Sequence, residues 1–247
     1  MTEASDQRAI YPSLKGKKVL ITGGGSGIGE GLVEGFARQG SDVAFFDICG
    51  DAPAVAGRTG AKFVHTDLTN IAAVKQAIAD NGPFDVLVNN AANDDRHKVE
   101  DVTEEYWDER FSVNLKHLFF CAQAVIPAMR AKGGGVIVNL GSISWHLGLP
   151  DMPLYQTAKA AIEGLTRSLA RDLGPDNIRV TSVIPGNVRT PRQLKWYTPE
   201  GEQEIVDAQC LKGRLVPEDV AALVMFLASD DARLITGHDY FVDAGWR

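Results

Sequence analysis

Short apolar runs alternate with helical stretches along the whole chain, and that alternation restricts the fold more than any other feature. Strands are expected at Lys18 to Thr22, Asp42 to Asp47, Ala61 to His65, Phe84 to Asn89, Gly135 to Gly141, Ile178 to Ile184 and Tyr240 to Val242. Val86-Leu87-Val88 and Val136-Ile137-Val138 are apolar without a break, which suits strands of a parallel sheet covered on both faces. Between strands, Phe111, Leu115, Leu118, Phe119, Ala122, Val125, Ile126 and Met129 recur at helical spacing. So do Leu154, Ala158, Ile162, Leu165, Leu169 and Leu173, a stripe that stops at Gly174-Pro175. The pattern predicts an α/β fold with one doubly wound parallel sheet of about seven strands and helices on both faces. A length of 247 residues fits a single domain spanning 1–247.

One stretch breaks the rhythm. Residues 187–214 carry Pro191 and Pro199, are flanked by Pro185 and Pro217, and hold a Lys195-Trp196-Tyr197 cluster. An insertion near the end of an α/β sheet reads as a lid over a binding site. The polar first 14 residues read as a flexible tail without the apolar segment of a signal peptide. Three cysteines are too few and odd in number for a disulfide scaffold, so a reducing cytoplasm is the expected compartment. A net charge of −7 disfavours nucleic acid and anionic membrane as partners. No apolar run approaches the roughly 18 residues a membrane span needs. His65, His97, His117, His146 and His238 are scattered without ligand spacing, and no metal is expected.

The first strand runs straight into Thr22-Gly23-Gly24-Gly25-Ser26-Gly27-Ile28-Gly29, which opens a helix. Glycines at that junction permit a tight turn and bring backbone N–H groups up to a pyrophosphate at the helix N-terminus. Asp47 ends the second strand 20 residues beyond Gly27, where a carboxylate accepts from the adenosine ribose hydroxyls and repels a 2′-phosphate. The fold is therefore Rossmann-like and the expected cofactor is NAD rather than NADP.

Tyr155 and Lys159 stand four apart on one helix and face the same way. A free tyrosine is a weak base at neutral pH, with a pKa of about 10, and an adjacent ammonium favours its phenolate. Ser142 ends the strand Val136 to Leu140 and can hold a substrate oxygen. Asn89-Asn90-Ala91, Asn114, Ser142 thirteen residues before Tyr155, Lys159 and Pro185-Gly186 follow the glycine motif in order. Taken as a set over almost the whole chain, these residues resemble the short-chain dehydrogenase/reductase family.

The resemblance implies an Asn114-Ser142-Tyr155-Lys159 tetrad. Tyr155 would be the general acid/base and Ser142 would hold the reacting oxygen. Lys159 would bind the nicotinamide ribose and lower the Tyr155 pKa, and Asn114 would position a water leading to Lys159. It also implies cofactor contacts from Gly23, Ser26, Gly27, Ile28, Gly29, Asp47, Asp67, Leu68, Asn90, Ala91, Pro185, Gly186, Val188 and Thr190, besides Tyr155 and Lys159. Ala92 departs from the family's usual glycine and would crowd a close approach if its φ were positive. A homotetramer built on the two striped helices is the expected assembly.

Three loops bear on the substrate: residues 93–98, 144–146 and 192–202. Their polar groups beside aromatic faces suit a polyhydroxylated substrate. With the closing Asp243-Ala244-Gly245-Trp246-Arg247, they resemble bacterial aldopentose 1-dehydrogenases. That likeness implies oxidation of the anomeric C1–OH of D-xylose or L-arabinose to an aldonolactone. The sugar would be held by Asn93, Ser142, Ser144, His146, Tyr155, Asn187 and Trp196. A reductase of another carbonyl and a non-catalytic NAD-binding scaffold are the alternatives.

Overall fold

A computed structural model describes residues 8–195 and 197–246. Seven strands form the sheet: β1 (Lys18–Thr22), β2 (Asp42–Asp47), β3 (Lys62–His65), β4 (Val86–Asn89), β5 (Gly135–Leu140), β6 (Ile178–Pro185) and β7 (Asp239–Val242). The helices are α1 (Gly27–Arg38), α2 (Ala52–Thr59), α3 (Ile71–Asn81), α4 (Glu104–Phe111), α5 (His117–Ala131), α6 (Ser144–Leu147), α7 (Pro153–Leu173), α8 (Pro199–Ala208) and α9 (Pro217–Ala228). The spatial order is β3-β2-β1-β4-β5-β6-β7, and every pair is parallel. β1 and β4 are therefore neighbours from which the chain winds in opposite directions. A ligand crevice is expected outside their carboxyl ends.

Alternation along each strand divides the core into two layers. Val19, Ile21, Val43 and Phe45 pack on one face with Leu32, Phe36, Val220 and Val224 of α1 and α9. Leu20, Ala44, Phe46 and Ile137 pack on the other with Val74, Ile78, Val125, Met129 and Leu173 of α3, α5 and α7. Under the crevice, Asn89 Nδ2 donates to Asn139 Oδ1 at 2.9 Å, and Asn139 Nδ2 donates to Thr166 Oγ1 at 3.0 Å. These buried bonds tie β4 and β5 to α7, the helix that carries Tyr155 and Lys159.

Two expectations need correction. The leading segment is held down from its eighth residue onward: Pro12–Leu14 is a 3₁₀ turn and Leu14 is fully buried in the core. Tyr11 N–H donates to Gln39 Oε1 at 2.8 Å. One apolar side chain with a core pocket anchors a stretch that is otherwise polar; residues 1–7 lie outside the described ones. The first helical stripe is also interrupted, because Ser112–Lys116 is a π-turn between α4 and α5. Such a turn marks a site where one residue is forced out of the regular spacing. Here it carries Asn114.

Candidate active site

A cleft of about 730 Å³ opens at the carboxyl ends of the strands. Along its floor the glycine loop is shaped by close packing rather than by sequence alone. Gly23 has φ +70°, and a Cβ on it would lie 2.8 Å from the Ala91 backbone. A Cβ on Gly29 would lie 1.7 Å from the Gly23 carbonyl oxygen. Asn90 Nδ2 donates to the carbonyls of Thr22 and Gly23 at 3.0 and 2.9 Å, and Thr22 Oγ1 accepts from the N–H groups of Asn90 and Ala91. The turn is thus bolted to the end of β4.

Gly23, Ser26, Gly27, Ile28, Asp47, Asp67, Leu68, Asn90, Ala91, Pro185, Gly186, Val188 and Thr190 all line the cleft. Gly29 does not; it supports the turn from behind. Ala92 lines it as well, exposed and outside the positive-φ residues, so its Cβ is accommodated. Asp47 is held by three backbone donors. Gly25 N–H donates to Oδ2 at 2.7 Å, and the N–H groups of Ile48 and Cys49 donate to Oδ1 at 2.7 and 2.8 Å. A charge so placed fits a ribose diol and opposes a 2′-phosphate. The donor set of the floor thus fits NAD. Asp47→Ala is expected to lower the NAD-to-NADP ratio of kcat/KM about tenfold or more, the value of a charged hydrogen bond. Initial rates with both cofactors check it, and an unmoved ratio would mean that Asp47 does not read the ribose.

At the other end of the cleft, α7 presents Tyr155 and Lys159. Lys159 is 2% exposed. Its Nζ donates to the Leu140 carbonyl at 2.7 Å and lies 5.5 Å from the centre of the Tyr155 ring. Burial pulls the Lys159 pKa down to about 8, partly offset by Asp94. Burial pushes the Tyr155 hydroxyl above its ordinary value and the Asp94 carboxylate adds to this, while Ser142 and Arg192 act in the opposite sense. The lowering expected from Lys159 is not seen here; Ser142 and Arg192 act in that sense and desolvation outweighs them. Ser142 Oγ donates to Ser144 Oγ at 3.0 Å and accepts from the Ser144 N–H at 3.2 Å.

Asn114 is fully buried and is not on the cleft wall. Its Oδ1 accepts from Asn93 N–H at 2.8 Å and its Nδ2 donates to the Asn93 carbonyl at 3.0 Å. The side chain fixes the loop after β4.

Of the expected sugar contacts, Asn93, Ser142, Ser144, Tyr155 and Asn187 line the cleft. Trp196 lies outside the described residues. His146 is a correction. α6 is a single turn, so Ser144 and Leu147 face the cleft together while His146 points to the back. Its Nε2 lies 2.9 Å from Glu163 Oε1, which also accepts from Trp145 Nε1 at 2.8 Å. Its ring sits against Trp145 and Phe241. His146 joins the segment bearing Ser142 to α7 and does not touch the cleft. The only sequence signal for Glu163 was its place four residues past Lys159.

Other cleft residues escaped the sequence reading. Asp94, Arg192, Gln193 and Tyr197 line the reacting end. Their loops stood out in the sequence, but which side chains would meet did not. The base of segment 187–214 is closed by a bridge between Val188 and Leu215, with Arg189 N–H donating to the Leu215 carbonyl at 2.8 Å. Arg214 ties Asn187 to Glu202 of α8.

Residues 23–247 match the family described as enoyl-(acyl carrier protein) reductase. The chain is 64% identical over 245 residues to D-xylose 1-dehydrogenase of Caulobacter vibrioides, covering 97% of this chain and 99% of that protein. This chain belongs to the short-chain dehydrogenase/reductase family. It is an NAD-dependent oxidoreductase of that family, acting on CH–OH groups. A further relative is "Probable galactose dehydrogenase GalD" of Rhizobium meliloti, 49% identical over 257 residues, covering 99% of each chain. Among solved structures, a 3-oxoacyl (acyl-carrier protein) reductase from Brucella melitensis superposes with a TM-score of 0.89 at 29% identity, over 96% of this chain and 94% of that one. The fold is thus common to reductases of acyl substrates and to sugar dehydrogenases, and the cleft must distinguish them.

Proposed function

We propose that this member of the short-chain dehydrogenase/reductase family oxidises the anomeric C1–OH of a cyclic aldopentose, D-xylose or L-arabinose, to the aldonolactone. The supporting observation is the wall around Tyr155. Asn93, Asp94, Ser144, Asn187, Gln193 and Tyr197 crowd that end of the cleft, and a wall so polar suits a ligand that carries hydroxyls. They already pair with one another, with Ser142 and with Arg192, but each keeps lone pairs or protons that a sugar hydroxyl can use and an acyl chain cannot. The near-complete similarity to D-xylose 1-dehydrogenase points the same way.

When bound along Gly23 to Ile28, Asp47 and Asn90, NAD would supply the hydride acceptor for the C1 hydrogen. Tyr155 would take the C1 hydroxyl proton, within reach of Ser142, which orients the same oxygen. The Lys159 ammonium would favour the phenolate and hold the nicotinamide ribose. Asn114 would keep Asn93 at the sugar by clamping both its backbone atoms, a positioning role that limits the lost orientation entropy.

Initial rates on D-xylose, L-arabinose, D-glucose and a 3-oxoacyl thioester test the proposal. Oxidation of a pentose should exceed turnover of the acyl ketone by at least about a hundredfold, since hydroxyls gain hydrogen bonds from that wall and an acyl chain gains none. Absence of activity on every aldose would sink the proposal and favour the acyl reductase or a silent NAD-binding protein.

Assembly and location are proposed on coarser grounds. Phe119 on α5 and Trp107 on α4 are 42% and 45% exposed, consistent with the family's homotetramer forming through α5 and α7. Among the described residues no helix is long and apolar enough to cross a membrane. Cys49, Cys121 and Cys210 are free thiols, as the cytoplasm would keep them.

A further inference from the structure

The lid and the loop after β4 meet over the reacting end of the cleft through one cluster of charges. Arg192 Nε lies 2.8 Å from Asp94 Oδ1, while its Nη2 lies 2.7 Å from Asp95 Oδ1 and donates to Asn93 Oδ1 at 2.9 Å. Gln193 Nε2 donates to the second Asp94 oxygen at 2.9 Å. Tyr197 in turn donates to Gln193 Oε1 at 2.9 Å. Both oxygens of Asp94 are therefore held from the lid. Asp94 and Arg192 share the cleft with Tyr155 and Lys159.

We infer that Asp94 and Arg192 form a charge latch: one ion pair closes the lid over the reaction centre and tunes the proton affinity of Tyr155. The inference deepens the proposed function and rests on Tyr155 being its base. Asp94 belongs to the body of the domain and Arg192 to the lid. With the lid shut, the two charges largely cancel at Tyr155. When the lid opens, Arg192 departs and Asp94 remains, so the phenolate is disfavoured until the cleft has closed. Loss of the proton is thereby coupled to closure.

The other titratable groups around Tyr155 form a fixed background. Lys159 is bound to the Leu140 carbonyl. Arg110 of α4 is paired with Asp95 at 3.1 Å and with Glu109 at 2.5 Å. Arg96 donates to the Pro150 carbonyl at 3.0 Å. His97 Nε2 accepts from the Leu154 N–H at 3.3 Å, next to Tyr155. None of these belongs to the lid, and all are common to the variants below.

The test compares kcat/KM against pH for the wild-type protein, Asp94→Asn, Arg192→Gln and the double variant. The wild-type acid limb reports ionisation of the base. Asp94→Asn removes a negative charge, lowers the Tyr155 pKa and moves that limb to lower pH. Arg192→Gln moves it to higher pH. Each shift should be about half a unit to one unit, as for a unit charge in a partly hydrated site. The double variant should return close to the wild-type position. In the cofactor-free protein, amide hydrogen exchange over 187–214 should be faster in Arg192→Gln. Limbs that move together or stay put, or an unchanged exchange rate, would overturn the latch. Tyr155→Phe separates the two claims: if it is inactive and the limbs fail to split, only the latch falls. If it still turns over, the base assignment falls and takes the latch with it.

Discussion

Tyr155→Phe turns over substrate at least about a thousandfold more slowly than the wild-type protein, within the range by which a positioned acid/base accelerates proton transfer. NAD affinity stays within about twofold, since the change deletes one oxygen and keeps the ring that packs beside Lys159. Steady-state rates and a calorimetric titration with NAD measure the two quantities. The separation matters because Tyr155 lines the same cleft as the glycine loop. A loss of both activity and NAD binding would mean that the hydroxyl holds the cofactor in place. A rate within tenfold of wild type would mean that another group removes the proton.

Gly29→Ala is expected to weaken NAD binding about a hundredfold. The added methyl would lie 1.7 Å from the Gly23 carbonyl oxygen and 2.8 Å from Asn90 Nδ2, so backbone has to move. Overpacking of this kind costs about 1–3 kcal/mol of stability. The larger consequence falls on the turn, whose N–H groups must be aimed at a pyrophosphate. Gly57→Ala on the exposed face of α2 is the matched control, because nothing lies within 4 Å of the added methyl. There the change should leave NAD binding alone and stabilise the protein by roughly 0.5–1 kcal/mol. Thermal melts with NAD titrations distinguish the pair; equal NAD affinity in both variants would refute the packing argument.

Both residues were legible in the sequence because each sits in a motif fixed by one local element. Tyr155 and Lys159 share a helical face, and the glycines fill a strand-to-helix turn, so spacing alone carries the geometry. The central strands were legible too, since strands buried on both faces advertise themselves as nearly continuous apolar runs, while the edge strands β3 and β7 are only partly buried and were read from the alternation with helices. Where tertiary contacts decide, the sequence was silent. His146 could have faced either way from a one-turn helix, and Glu163 with Phe241, distant in the chain, turned it to the back. Leu14 looked like part of a polar tail because a single buried side chain leaves no periodicity to read. α8 inside segment 187–214 had its signals, with Thr198 capping Gly201 N–H at 3.2 Å and Pro199 in the first turn. The surrounding prolines hid them. The Asp94–Arg192 pair joins residues almost a hundred positions apart, beyond the reach of any local rule.

The three amides that grip Asp47 have a meaning beyond holding it still. Gly25, Ile48 and Cys49 aim their N–H groups into the small space that the two carboxylate oxygens fill. Converging backbone donors of this sort make a nest for an anion. The protein has in effect filled its own phosphate receptor with a side chain. A 2′-phosphate brought to this point would have to compete with the Asp47 carboxylate for these donors as well as face its charge. An engineer seeking the phosphorylated cofactor would start from a vacancy with its donors in place, and a cation added nearby would complete it.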